Sequence, residues 1–166
     1  MAPENLIDGR AIARQIQDEL AQRIAALKSR GVQPGLAFVR VGEDPASKVY
    51  VDRKEKTSAQ LGIASETHVL PEATSEAELL ALLARLNANP RIHGILVQAP
   101  LPSHIRATVV YSTVLPQKDV DGFHPLNVGR LVQNRAALVA CTPSGVIALL
   151  ERSQVPIAGA RAVVIG

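Results

Sequence analysis

Tryptophan is absent from this 166-residue chain, and two tyrosines and two phenylalanines leave aromatic residues at only 2% of the total. A core must therefore be assembled from Leu, Ile, Val and Ala, and with 47% hydrophobic residues the chain has enough of them for one compact domain. Cysteine is nearly as scarce. Cys141 alone excludes an internal disulfide framework and a zinc site built on several thiolates, which suits a reducing compartment. No apolar run approaches the ~18 residues of a membrane span, and the opening MAPENLIDGR carries early charges in place of a signal-peptide core. The expected address is cytoplasmic, without membrane contact. Runs of Lys or Arg are missing too. The 18 basic and 15 acidic residues leave a formal charge of +3 and a pI near 9.4, but the basic residues are scattered without interleaved aromatics, so no nucleic-acid partner is expected. Neither GxGxxG nor GxxxxGK[ST] occurs, so nucleotide binding cannot be argued from a glycine-rich loop.

What is present is organised around VGEDPASKVYVDRKEKTSAQLGI, residues 41 to 63. Asp44 is suited to cap a helix whose first position is Pro45, directly after the apolar run 36 to 41. Tyr50 and Lys54 are one helical turn apart on a single face, near the end of a strand. Around this stretch, residues 7 to 30 read as an amphipathic helix capped by Asp8, and 63 to 70 as a second strand. Residues 76 to 88 carry a leucine stripe behind Thr74 and Ser75, and GILVQ (94 to 98) reads as a central parallel strand. Residues 104 to 114 are a further helix, 115 to 135 mainly loop, 143 to 152 a helix entered at Pro143 with Thr142 as cap, and ARAVVI (160 to 165) a buried strand. The alternation predicts an α/β fold, a parallel sheet covered by helices. A terminal apolar strand usually leads into a Gly-rich turn and another helix, so a second domain is expected beyond it.

Lys54 is the first candidate for chemistry, because an amine in a cleft shuttles protons when its surroundings tune it; the alternative is one solvated lysine among Lys48, Arg53 and Lys56. Tyr50 is either a stacking or orienting partner or an edge-of-core residue. Gln98, at a strand's carboxyl end, either positions that amine or caps loop backbone. Asp119 and Asp121, in a turn closed by Gly122, suit a carboxylate gripping the N–H edge of a heterocycle; a calcium loop is the rival, but its further ligands are missing. His68, His93, His104 and His124 show no ligand spacing. Cys141 reads better as a buried small apolar residue than as a nucleophile.

Five blocks in order, VGEDPASKVYVDRKEK, GILVQAPLP, PQKDVDGFHPLNVGRL, CTPSGVIALLE and GARAVVIG, resemble the bifunctional methylenetetrahydrofolate dehydrogenase/methenyltetrahydrofolate cyclohydrolase family, of FolD type, from about Leu6 to Gly166. The resemblance implies a folate-binding catalytic domain over residues 1 to 142, with 143 to 166 as the connecting helix and first strand of an otherwise missing NADP-binding Rossmann domain. It implies Lys54 as the catalytic lysine, Gln98 as its assistant, Tyr50 packing on the folate, and Asp121 gripping the pterin. Ser47, Val97, Pro100 and Leu101 would line the pocket, and Gly166 would stand at the edge of the NADP site. The implied work belongs to one-carbon metabolism and purine biosynthesis: NADP-dependent oxidation of 5,10-methylenetetrahydrofolate, then hydrolysis to 10-formyltetrahydrofolate, in a homodimer joined through the Rossmann domain. Ala99 replaces a larger apolar residue and Ala140 a proline of the family pattern. The RSxxVGxP turn and the last C-terminal helix are missing, which predicts a truncated chain with exposed apolar surface. The alternative reading is a folate-binding module without dehydrogenase turnover; a third is self-pairing through residues 160 to 165.

Overall fold

A computed structural model of the chain describes residues 6–165. Asp8 accepts hydrogen bonds from the backbone N–H groups of Arg10 and Ala11, each at 3.0 Å, satisfying two of the donors that a helix start leaves free. Helix α1 follows over Gly9–Ser29 and buries Ile12 and Ile24. The chain then alternates as expected: β1 (Gly35–Val41), α2 (Pro45–Leu61), β2 (Ala64–Leu70), α3 (Glu76–Ala88) and β3 (Gly94–Val97). Gly62 ends α2 in the left-handed conformation, φ 76°, which glycine adopts without steric cost. At the start of α3, Ser75 and not Thr74 is the cap, in a reciprocal box with Glu78.

All pairings among the described strands are parallel, in the order β2-β1-β3. Strand period two sorts the side chains of β1 onto two faces. Ala37, Val39 and Val41 join Ile95 and Val97 against Leu79, Leu82, Leu83 and Leu86 of α3, while Phe38 meets Leu96 and Val51 of α2 on the other face. Each leucine of that α3 stripe contributes roughly 1.5–3 kcal/mol by leaving water. Helix α4 (Ala107–Thr113) packs beside α3, and α1 packs on α2 and on α6 (Cys141–Arg152). Arg152 clamps α6 to α1 by donating through both terminal nitrogens to the Glu19 carboxylate, each at 2.7 Å.

Four expectations change. GILV is an outer strand in the hydrogen-bonded order, because its far edge is met only by an isolated parallel bridge from Ile95 to Asp119. The segment 115 to 135 is not mainly loop: α5 spans Pro125–Val132, started by the His124 ring accepting the Leu126 N–H at 3.0 Å with Pro125 at the first helical position. Helix α6 starts at Cys141 behind Ala140, without a side-chain cap, so Thr142 does not cap it and the helix expected over 143 to 152 begins two residues earlier. Pro143 is accommodated because the first turn has no intrahelical use for its missing N–H. Finally, residues 160 to 165 form no strand. Among the described residues no neighbouring strand takes up their backbone groups, and Val163, Val164 and Ile165 are 85%, 94% and 95% exposed.

Leu79 is fully buried, so Leu79→Ala should lower the urea-unfolding free energy by about 2–5 kcal/mol; a loss below ~1 kcal/mol would mean that α3 is not docked. The Arg106 guanidinium, donating to Glu76 at 3.0 and 3.2 Å through Nε, holds that carboxyl down from 4.5 to about 2. Because the folded-state value is depressed, the stabilisation is complete above the unfolded value and is lost as pH falls towards 2. The melting-temperature deficit of Arg106→Gln should therefore shrink as pH drops below about 4.5, and a deficit constant through that window would show that the pair is not formed.

Candidate active site

The site begins with the cap of α2. Asp44 accepts the Ser47 N–H at 2.7 Å, which sets the helix so that Ser47 is buried and Tyr50 and Lys54 follow along its length. Across from it, strand alternation puts Leu96 on the α2 side of β3, and Gln98 comes to the same side two residues later. Lys54 Nζ donates to Gln98 Oε1 at 3.1 Å, while Gln98 Nε2 donates to the Ala99 carbonyl at 2.7 Å. That carbonyl also accepts from Ser47 Oγ at 3.3 Å. The two contacts orient the amide: its nitrogen must face a carbonyl, so its oxygen must face the amine.

Asp121 reaches the same crevice by a different route. Ile95 N–H donates to the Lys118 carbonyl at 2.7 Å, and the parallel bridge between Ile95 and Asp119 fixes the segment on β3 two residues before Asp121. Gly94 permits this approach, since a Cβ there would collide with the Val120 side chain. Gly122 then turns the chain at φ 73°, against the backbone of Val139 and Ala140. The segment is anchored from below. Lys118 Nζ donates to the carbonyls of Asn87 and Asn89, each at 2.8 Å, and of Leu86 at 3.3 Å, neutralising the negative end of α3. Asn87 adds bonds to Thr113 O at 2.7 Å and from Leu115 N–H at 3.0 Å.

Helix α2 and the 119–121 loop thus bring opposite charges to one place. Burial pushes the Asp121 carboxyl up, the Lys54 ammonium pulls it down, and the Asp119 carboxylate pushes it up again. Burial and then the Asp121 charge raise the Tyr111 phenol of α4. Cys141, expected among buried apolar residues, is exposed; its sulfur nevertheless lies against the Val120 carbonyl at 3.4 Å. Burial raises that thiol, as do Asp121 and Asp119, while Lys54 opposes them. Hollows are lined by other residues as well. One of about 580 Å³ is lined by Gln33, Ala64, Arg91 and His93 at the amino end of the strands, opposite the Lys54–Gln98 pair.

Of the residues singled out in sequence, Lys54, Gln98, Ser47 and Asp121 come together. Tyr50 is on the same helix and 57% exposed, whereas Val97 is 3% exposed and turns its side chain into the core under α3. Leu101 packs partly on that core, and Pro100 is exposed. Gly166 lies outside the described residues. Among the described residues no three His, Cys, Asp or Glu side chains gather as metal ligands. Asp119 is occupied instead, accepting from Phe123 N–H at 3.3 Å, His124 N–H at 2.8 Å and Asn127 Nδ2 at 2.9 Å. Lys118, Asn87 and Asn127 were missed by sequence reasoning. Their partners are backbone carbonyls or a residue in another element, and no local spacing announces such contacts.

The model of the family "Tetrahydrofolate dehydrogenase/cyclohydrolase, catalytic domain" matches residues 7–121. Curated relatives named "Bifunctional protein FolD" include those of Geotalea uraniireducens, 52% identical over 97% of this chain, and Cupriavidus taiwanensis, 53% identical over 99%. The chain spans 58% of the length of each of these relatives. Among solved structures, the bifunctional FolD enzyme of Campylobacter jejuni superposes with a TM-score of 0.88 at 42% identity, over 90% of this chain and 53% of that one. The Trypanosoma brucei FolD, complexed with NADP cofactor and inhibitor, gives 0.88 at 39% identity over 92% of this chain and 52% of its own.

The shared electrostatics can be read through the thiol. Iodoacetamide should alkylate Cys141 near neutral pH more slowly than a free thiol, faster in Asp121→Asn and slower in Lys54→Met, by about twofold or more in each case. Equal rates in all three proteins would mean that these groups do not share one field.

Proposed function

The chain belongs to the tetrahydrofolate dehydrogenase/cyclohydrolase family, and on that footing we propose that it binds a reduced folate in the crevice at the carboxyl end of β3 and hydrolyses the methenyl bridge with Lys54 as acid and base. The observation that carries this reading is the contact between Lys54 Nζ and Gln98 Oε1 at 3.1 Å, with the lysine close enough to pull the Asp121 carboxyl down.

Water attacks the amidinium carbon of 5,10-methenyltetrahydrofolate and must lose a proton as the bond forms; the neutral Lys54 amine takes it. The resulting ammonium returns a proton to the ring nitrogen that departs as the bridge opens to 10-formyltetrahydrofolate. Gln98 engages one N–H of the lysine and leaves the rest of the nitrogen free to face the bridge carbon. Asp121, when ionised, accepts paired hydrogen bonds from the aminopyrimidine edge and fixes the folate's orientation. Tyr50, half-exposed on the α2 face, offers a ring for the flat part of the ligand to pack on. Ser47, through its bond to the Ala99 carbonyl, supports the wall formed by Ala99, Pro100 and Leu101.

For the whole protein we further propose NADP-dependent oxidation of 5,10-methylenetetrahydrofolate, homodimerisation and a cytoplasmic address. NADP, when bound, supplies the hydride acceptor. Residues 1–166 contain no phosphate-binding glycine loop, so this chain's own part in that reaction is to hold the folate. No described helix is long and apolar enough to cross a membrane. The division we propose puts the folate site in residues 1 to 142, with 143 to 166 leading out of it.

The test is the loss of methenyltetrahydrofolate absorbance over the uncatalysed background, without nucleotide. Lys54→Met should lower turnover by about 100-fold or more with an unchanged far-ultraviolet spectrum. Turnover retained in that variant would remove Lys54 from the acid–base role.

A further inference from the structure

Asp119 and Asp121 are two residues apart, and burial separates them: Asp119 is 5% exposed, whereas Asp121 is half-buried at the crevice. Asn127, 2% exposed on α5, commits its amide nitrogen twice, to Pro116 O at 2.8 Å and to Asp119 Oδ2 at 2.9 Å. With both of its protons donated, the group opposite must be an acceptor, and an ionised carboxylate is acceptor-only. The same carboxylate receives the N–H groups of Phe123 at 3.3 Å and His124 at 2.8 Å, where the chain leaves the turn for α5. Its backbone is bridged to Ile95, and its carbonyl accepts Gly122 N–H at 3.3 Å. One residue therefore grips both ends of the segment 119 to 124, and Asp121 stands between them.

We infer that Asp119 is a positioning residue for Asp121: its buried carboxylate, closed off by Asn127, fixes the turn that aims the Asp121 carboxylate into the crevice, and it touches no ligand itself. The inference rests on the folate reading for what Asp121 grips. Two parallel hydrogen bonds to a planar edge tolerate little displacement, so a turn released at one end costs affinity although every ligand-contacting side chain is retained. The arrangement is directional. In Asp119→Asn one carboxylate oxygen becomes a donor: at the Oδ2 position it meets the donors of Asn127 and His124, and at the Oδ1 position it meets the Phe123 N–H, so at least one contact is mismatched in either orientation.

The groups facing Asp121 are Lys54 from α2, Tyr111 from α4, Cys141 from α6 and Asp119 on its own loop. Replacing Asp119 by neutral Asn removes one of the two influences that raise the Asp121 carboxyl, so its titration midpoint should fall. That fall follows from the lost charge alone, whereas Asn127→Ser keeps both carboxylates, so a midpoint or affinity moved there reports a displaced Asp121.

The experiment uses the 166-residue chain, its Asp119→Asn variant and Asn127→Ser, which keeps both carboxylates. Calorimetry reads the affinity for 5-formyltetrahydrofolate, a reduced folate that is not turned over near neutral pH, and carboxyl ¹³C resonances read the Asp121 midpoint without ligand. The expected result is parent binding that is weakened about tenfold or more in both variants, with cooperative melting preserved and the midpoint lowered in Asp119→Asn. If Asp119→Asn does not fold, Asn127→Ser is held to the same affinity criterion. Parent-like affinity in a folded variant overturns the inference. A parent chain that binds no reduced folate overturns the folate reading instead; the positioning role is then decided by the Asp121 midpoint in Asn127→Ser, upheld if it moves and overturned if it is unmoved.

Discussion

The outer edge of β3 offers backbone groups that a strand must satisfy, and it meets one of them in a single bond, from Ile95 N–H to the Lys118 carbonyl at 2.7 Å. Much of the candidate site depends on that bond. It brings a segment from outside the regular sheet into parallel register at Asp119, and the turn that carries Asp121 follows directly. Gly94 makes the approach sterically possible, and Lys118, by capping α3, ties the same segment to the helix that carries the leucine core. Packing of the hydrophobic layer and placement of the carboxylate are thereby linked.

The electrostatics of the crevice follow from this geometry. An acid and an amine have been brought together in partial burial, where charges are felt more strongly than in water. Asp121 is pushed up by its surroundings and drawn down by Lys54, with Asp119 adding to the upward side. Lys54 meanwhile has a neutral partner in Gln98 and not a carboxylate. A direct ion pair would hold the lysine's proton in place, whereas an amide oxygen accepts from either protonation state. That choice suits the acid–base role proposed for Lys54.

The described helices and sheet form the frame of this crevice, and the match to relatives extends over nearly the whole chain while covering 58% of their length. The apolar faces left open are consistent in character: Val146 and Ile147 on α6 and Leu131 and Val132 on α5 are all exposed. These residues lie C-terminal to Asp121, whereas the buried core is built mainly from the elements preceding it.

How much of this was legible from residues alone depends on the range of the interaction concerned. Caps and periodicity act over three or four positions, so Asp8, Asp44, the Ser75–Glu78 box and the α3 leucines announced their elements, and the Tyr50–Lys54 spacing announced a shared face. The ordered blocks carried the family and, with it, Lys54, Gln98 and Asp121. Helix α5 escaped notice because eight residues containing a glycine give too little periodicity to read. Residues 160 to 165 misled for the opposite reason: their β-type composition is local, but a strand exists only when another strand takes its hydrogen bonds. Tertiary structure alone decided that Val97 faces the core while Gln98 meets Lys54, that Cys141 is exposed, and that the two aspartates differ in burial. Each of these depends on pairing register and burial between segments far apart in the chain, and one residue of register exchanges the two faces of a strand.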